Sequence, residues 1–309
     1  MVLAQTYAVK MQQICQMIID LGPTDATVLI EGEEGTEKEL VARAIHLNSS
    51  RRKRPFIAVN CDTYPQTLLE SELWGHEEGV FFGAMEKKKG YFELVDQGTI
   101  FLNNIDKMPP LSQMKLLRIL EMQEFERLGG NEAIKANMRI IAGTRRNLRE
   151  EIEKGTFVEE LYYRLNIITV KIPPLRERKE DIPLLVEYFL QNLSKGEKQK
   201  RFSEEAMESL SNYSWPGNVK ELENAVQYAY LTSKNEVINI NDLPVGIVKE
   251  VQKESAKAAS FEENERKFLL KILEENNWNK YRVAKKLNIS RSTLYTKLRK
   301  YNLIHPTKN

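Results

Sequence analysis

Apolar residues come in short unbroken runs through the first half of the chain and at helical spacing through the second. Val28 to Ile30 is one such run, Phe56 to Asn60 another, and Gly98 to Ile105 (GTIFLNNI) a third that ends in a polar pair. Runs of this kind suit strands of a parallel sheet buried on both faces. Glu39 to Leu47 carries a helical pattern, and strand and helix signals alternate from Met1 to Pro174, which predicts an α/β sheet with helices on both faces. Pro173-Pro174 closes that part, and Leu175 to about Val245 reads as all helical, with Trp215-Pro216-Gly217-Asn218 breaking one helix and opening the next. Residues 246–260 (GIVKEVQKESAKAAS) have little apolar periodicity and mixed charge, the pattern of a linker. Phe268, Leu269, Ile272 and Leu273 then recur at helical spacing, and Tyr281, Val283, Ala284 and Leu287 form a short helix. Asn288-Ile289-Ser290 supplies a turn and an N-cap, and Arg291 to Lys300 forms a basic helix. Helix, three-residue turn and basic helix make a helix-turn-helix. The expected divisions are 1–174, 175–245, a linker 246–260, and a small all-α module 261–309.

Two places in the α/β part carry chemistry. After Val28 to Ile30 comes Gly32-Glu33-Glu34-Gly35-Thr36-Glu37-Lys38 and then a helix. Strand, glycine loop, lysine, helix is an arrangement in which backbone N–H groups and a helix N-terminus surround phosphates while Lys38 supplies a point charge. Glu37 stands where the last glycine of GxxxxGK belongs, and Glu34 adds a second carboxylate whose charge opposes a triphosphate. The second place is the end of GTIFLNNI, where a central strand faces the ligand crevice. Nucleotide hydrolases of this design put an acid there to help hold Mg²⁺ and another to polarise water. Asn103 and Asn104 offer no charge for a metal and no base for water. Taken singly, the loop reads equally as an acidic turn and the strand end as an ordinary polar exit.

Charge is unevenly distributed. The 309 residues sum to +2, while residues 261–309 hold 12 Lys and Arg against 5 Asp and Glu, so the basic surplus lies on the helix-turn-helix. That asymmetry predicts contact with double-stranded DNA, with Arg282, Ser290, Arg291, Ser292, Thr293, Tyr295 and Lys297 at the second helix and its approach. The basic run Ser50 to Pro55 reads as a solvated loop. Cys15 and Cys61 are too few for a disulfide framework, and His46, His76 and His305 have no ligand spacing, so no metal site is expected. No apolar run approaches ~20 residues and no signal peptide is present, which predicts a cytoplasmic protein without a membrane span.

Seven blocks occur in order: Gly32 to Glu39 (GEEGTEKE), Glu72 to Ala84 (ELWGHEEGVFFGA), Gly98 to Ile105, Arg139 to Thr144 (RIIAGT), Phe157 to Asn166 (FVEELYYRLN), Ile172 to Ile182 (IPPLRERKEDI) and Trp215 to Leu222 (WPGNVKEL). Together they resemble the AAA+ domain of bacterial enhancer-binding proteins, which remodel sigma-54 RNA polymerase. Asn279 to Lys300 resembles the Fis-type module of the same family. The resemblance covers nearly the whole chain. It implies an AAA+ P-loop domain, an all-α lid and a helix-turn-helix, with self-association, DNA and RNA polymerase holoenzyme as partners. It implies nucleotide-binding positions at Gly32, Gly35, Thr36, Lys38, Glu39, Asn103, Asn104, Arg164 and Lys220, with Asn60 as the switch asparagine.

Departures from the family pattern fall at its working positions. Glu34 replaces a serine and Glu37 a glycine, Asn103-Asn104 replace Asp-Glu, and Phe82 takes the threonine position of GAFTGA. Val158 replaces the first of two arginines that reach a neighbour's nucleotide, while Arg164 keeps the second; Lys220 replaces an arginine and loses its bidentate fork. These departures lead to the expectation of a regulator that is not an enzyme, no longer hydrolyses ATP and acts independently of sigma-54, its AAA+ domain serving oligomerisation and nucleotide sensing. Glu39 and Arg43 look like the ExxxR element of divergent members in biofilm and flagellar control, the FleQ and VpsR type, which bind cyclic di-GMP. ATP or cyclic di-GMP is thus the expected ligand, although a helix salt bridge explains the pair equally well. The alternative is a working ATP-driven sigma-54 activator. A helicase or clamp loader fits less well, having no use for the helix-turn-helix or the GVFFGA loop. The receiver or sensor domain common in the family is expected to be missing ahead of the P-loop.

Overall fold

The computed structural model describes residues 6, 8–81, 84–194, 200–276 and 278–303, with the backbone alone for 251–262. Five strands, β1 (Val28–Glu31), β2 (Phe56–Asn60), β3 (Thr99–Asn103), β4 (Arg139–Thr144) and β5 (Ile168–Lys171), pair in parallel in the order β2-β3-β4-β1-β5. Ala58, Phe101, Ile141, Val28 and Ile168 stand in one row across the sheet. Because side chains alternate along a strand, Val28, Ile30, Phe101 and Ile141 face one side and Leu29, Ile100, Leu102 and Ala142 the other. All eight are fully buried, which is why these strands read as continuous apolar runs.

Helices α1 (Val9–Leu21) and α2 (Lys38–Leu47) cover the first face, through Met11, Ile14, Ile18, Val41 and Ile45. On the second lie α3 (Gln66–Trp74), α4 (Pro110–Met122) and α5 (Glu159–Leu165), through Leu73, Leu116 and Leu161. Arg139, at the start of β4, is buried and donates to the carbonyls of Leu21, Gly22 and Ala26 at 3.0, 3.2 and 3.3 Å, closing the turn after α1 onto the sheet.

The lid packs α6 (Ile182–Ser194), α7 (Glu204–Asn212) and α8 (Asn218–Thr232). It is not entirely helical, since Arg201–Phe202 pairs in parallel with Val237–Ile238. Trp215 anchors it from the turn between α7 and α8: its ring is fully buried against Tyr213, and its Nε1 donates to the Leu210 carbonyl at 2.8 Å.

After Pro244 the chain forms a second compact unit. Helix α9 (Val245–Glu275) runs through residues 246–260, the segment read as a linker. Lys, Glu, Gln and Ala are good helix formers, so the segment is helical without an apolar stripe to reveal it. Leu269, Leu273, Val283, Leu294 and Leu298 form the core of this unit, between α9, α10 (Lys280–Lys286) and α11 (Arg291–Lys300).

Truncating Trp215 removes both its packing and its indole hydrogen bond. Trp215→Ala is expected to destabilise residues 1–244 by about 3–5 kcal/mol, read as a lowered urea midpoint; an unchanged midpoint would contradict Trp215 as the anchor of the lid.

Candidate functional site

The glycine loop leaves β1 at Gly32, whose N–H bonds the Thr144 carbonyl at the end of β4 (3.1 Å). Thr36 Oγ1 donates to the Glu33 carbonyl at 2.7 Å, and the buried Lys38 Nζ donates to the carbonyls of Gly32 and Glu33 at 2.8 and 3.0 Å. Burial pushes the Lys38 ammonium pKa down, opposed by the charges of Asp106 and Glu34. Gly35 has φ +74°, and a Cβ there would sit 2.1 Å from the Gly217 carbonyl oxygen, so only glycine fits. Its own carbonyl accepts from Val219 and Lys220 N–H at 3.0 and 3.3 Å. Asn218, fully buried at the start of α8, completes the junction. Its Nδ2 donates to the Glu34 carbonyl (2.9 Å) and to Glu33 Oε2 (3.2 Å), and its Oδ1 accepts from Leu175 N–H (2.8 Å).

Glu33 and Glu34, two of the three acids of the loop, are paired with arginines. Arg176 grips Glu33 with two bonds of 2.6 and 2.7 Å and holds its carboxyl below the usual carboxylate range. Glu34 is exposed and pairs with Arg145 at 3.0 Å, which also reaches Asp62. Glu37 sits at φ +67°, a left-handed conformation unfavourable for a side chain, which accounts for glycine at this place in the general motif. Burial pushes the Glu37 carboxyl up, against the lowering charges of Arg178 and Lys220.

At the end of β3, Asn103 Oδ1 accepts from Asn104 N–H at 3.1 Å, and Asn104 Nδ2 donates to Asn60 Oδ1 at 2.9 Å. Sequence reasoning missed the acid just beyond. Asp106 has a fully buried side chain, and its Oδ1 accepts from Thr144 Oγ1 at 3.1 Å. Its nearness in sequence to the asparagine pair was the available signal. Asn218 was missed as a contact, as was Arg178, whose buried Nε and Nη2 have no hydrogen-bond partner among the described residues. Arg178 and Glu37 line a mainly apolar cavity of about 230 Å³ between α1, α2 and α6, walled by Met11, Leu40, Leu185 and Phe189.

Not every expected nucleotide residue joins the cradle. Arg43 lies at the edge of that cavity, paired with Glu39 at 2.9 Å and stacked 4.6 Å from the Phe56 ring centroid. Arg164 is exposed on α5 and pairs with Glu121 at 2.9 Å. Lys220 binds Glu223 at 2.8 Å. In the GVFFGA loop Val80 and Phe81 are exposed, while Phe82 lies outside the described residues.

In the second unit, Ser290 caps α11 by accepting from Thr293 N–H at 3.1 Å, and its hydroxyl also meets Ser292 and Thr293. Arg282, Arg291, Ser292, Thr293 and Tyr295 are exposed, with the Arg291 guanidinium 4.5 Å from the Tyr281 ring centroid. Lys297 turns instead to Glu265 of α9, which also binds the Tyr301 hydroxyl.

Family comparisons agree in order along the chain. The sigma-54 interaction domain matches residues 5–171, the AAA+ ATPase lid domain 176–260, and the bacterial regulatory protein, Fis family, 260–301. The chain is 43% identical over 294 residues to the transcriptional regulatory protein ZraR of Klebsiella oxytoca, covering 93% of this chain and 66% of that one. It is 43% identical over 311 residues to the regulatory protein AtoC of Escherichia coli (strain K12), covering 96% and 67%. It thus spans about two thirds of the length of these relatives. Crystal structures of NtrX from Brucella abortus, 34% identical and covering 96% of this chain and 69% of theirs, superpose with TM-scores of 0.76 in complex with ADP and 0.72 in complex with ATP.

These findings overturn the expectation that the chain is not an enzyme: its own segments match a sigma-54 interaction domain and an AAA+ ATPase lid domain, and the similar NtrX was solved with ADP and with ATP. Independence from sigma-54 loses its support to the same match, and the FleQ and VpsR type is not where these relatives lie. Cyclic di-GMP finds no support either, Arg43 being engaged by Glu39 and Phe56. With the sigma-54 interaction domain matching more than half of its length and the lid and Fis-family segments following, the chain belongs to the bacterial enhancer-binding proteins.

Proposed function

We propose that this chain is the ATP-driven, DNA-binding part of a sigma-54-dependent transcription activator. The observation that carries this reading is the clasp of Asn218 on the glycine loop, because it ties the phosphate-facing backbone to the lid. Bound phosphates would take over Lys38 from the carbonyls of Gly32 and Glu33, with the N-terminus of α2 adding its partial positive charge. The purine would enter the apolar cavity beside α1 and α6. Arg164, exposed and paired with Glu121, would reach the nucleotide of a second copy, and the GVFFGA segment, with Val80 and Phe81 exposed, is the surface proposed for the polymerase. The Arg145 and Arg176 pairs support hydrolysis in spite of Glu33 and Glu34, since they neutralise the acids that oppose a triphosphate.

The protein is expected to release phosphate from ATP in the presence of Mg²⁺ and to convert sigma-54 holoenzyme from closed to open promoter complexes, read by permanganate reactivity of the melted strand. Lys38→Ala abolishes the release, and Arg164→Ala lowers it by about 10³-fold or more if that residue acts across the subunit boundary. Phosphate release no greater than that of Lys38→Ala would contradict the proposal.

For the helix-turn-helix, Arg291→Ala is expected to weaken operator binding and to reduce the slope of log affinity against log salt by about one unit if it contacts a phosphate. A salt slope and affinity equal to those of the unsubstituted protein in fluorescence anisotropy would remove Arg291 from the DNA contact.

A further inference from the structure

We infer that Asp106 supplies the crevice carboxylate that Asn103 and Asn104 lack, and that its Oδ2 faces the magnesium ion accompanying a bound nucleoside triphosphate. The inference rests on the ATP-driven reading above and names the residue that serves it. Asn104 adopts φ +53°, a conformation asparagine tolerates, and so turns the chain sharply after β3 into the short 3₁₀ turn Ile105–Lys107. The Lys107 N–H bonds the Asn104 carbonyl at 2.9 Å and fixes that turn. Asp106 is thereby folded back toward the carboxyl ends of the strands instead of out to solvent.

There it meets the residues of the glycine loop. Its Oδ1 accepts from Thr144 Oγ1, and the Thr144 carbonyl in turn holds the Gly32 N–H at 3.1 Å, so Asp106 is one residue removed from the first glycine. Asp106 is also the leading charge that favours the ammonium form of Lys38. Its Oδ2 is buried and accepts no hydrogen bond among the described residues. The cation nearest to it there is Arg146 Nε at 3.7 Å, and that guanidinium gives Nη1 to Glu151 at 3.3 Å. A buried carboxylate oxygen without a donor is costly, and a bound cation removes the cost.

The donor set fits magnesium. That ion takes one or two protein carboxylates together with phosphate oxygens and keeps several waters. One carboxylate is present here, and with phosphate oxygens and water completing the shell the protein needs no cage of acids. Mg²⁺ would neutralise charge on the phosphates. Asp106 would hold it through Oδ2, the oxygen that Thr144 leaves free of a hydrogen bond.

Calorimetric titration of the full chain with ATPγS, in Mg²⁺ and in EDTA, tests the assignment. The unsubstituted protein is expected to bind about tenfold or more tightly with Mg²⁺. Asp106→Asn keeps the shape of the side chain; it should bind as the unsubstituted protein does in EDTA and lose the magnesium gain, and Asn103→Asp added to it should return part of the gain. In the unsubstituted protein, Fe²⁺ replacing Mg²⁺ with ATPγS and peroxide should cut the backbone between residues 104 and 108, a measurement that does not depend on the variant folding. Retention of the full magnesium gain by Asp106→Asn, equal loss of affinity in EDTA, or cuts confined to other segments would each overturn the inference. If the unsubstituted protein hydrolyses ATP while Asp106→Asn keeps the magnesium gain, the assignment fails and the functional reading stands. If the gain is lost in Asp106→Asn but the unsubstituted protein releases no phosphate, the reading fails and the assignment stands.

Discussion

The Asn218 side chain makes three hydrogen bonds from a fully buried position, and the organisation of the nucleotide crevice depends on them. Its amide joins the Glu34 carbonyl and Glu33 carboxylate of the loop, the Leu175 N–H of the hinge, and the first turn of the lid helix to which it belongs. A buried amide in a low-dielectric setting holds its partners strongly while all are satisfied and loses much when one is removed. Gly35 reinforces the junction, because its carbonyl accepts from two N–H groups of the same helix and because no side chain fits at its position. The loop is therefore tied to the first turn of the lid helix. Lys38 gives this arrangement its sensitivity, since the carbonyls it holds belong to residues 32 and 33, and residue 33 also bonds Asn218.

Electrostatics in the crevice follow from folding more than from motif letters. Glu34 and Glu37 in the loop and two asparagines at the strand end suggest a site hostile to a triphosphate. In the folded chain, Arg145 and Arg176, more than a hundred residues away in sequence, pair with the carboxylates of Glu34 and Glu33. Asp106 brings a carboxylate back into the crevice from a position that the strand-end motif does not specify. The expectation of lost hydrolysis rested on the missing strand-end acids and on the loop carboxylates, and these long-range pairings leave no trace in the motif.

Much of the fold was nevertheless legible. Val28 to Ile30 and Gly98 to Ile105 read as buried parallel strands because both their faces are covered, leaving no polar alternation to confuse the pattern. The helix-turn-helix was legible from Leu269, Leu273, Val283 and Ala284 at helical spacing, from the Ser290 cap and from the local surplus of Lys and Arg. That residues 246–260 are helical was not legible, because the segment carries no apolar stripe. The Asn218 junction and the Lys297 pairing with Glu265 were invisible for a different reason: each joins residues from separate elements, and no local period records such a contact.

The central claim is that the nucleotide state of the glycine loop is transmitted to the lid through the Asn218 junction. Backbone hydrogen exchange at Val219 and Lys220, whose N–H groups bond the Gly35 carbonyl, tests it most directly. The exchange rates of these two amides are predicted to differ between the ADP-bound and ATPγS-bound protein, while those of β3 and β4 in the sheet core stay the same. Identical protection of Val219 and Lys220 in both states would contradict it.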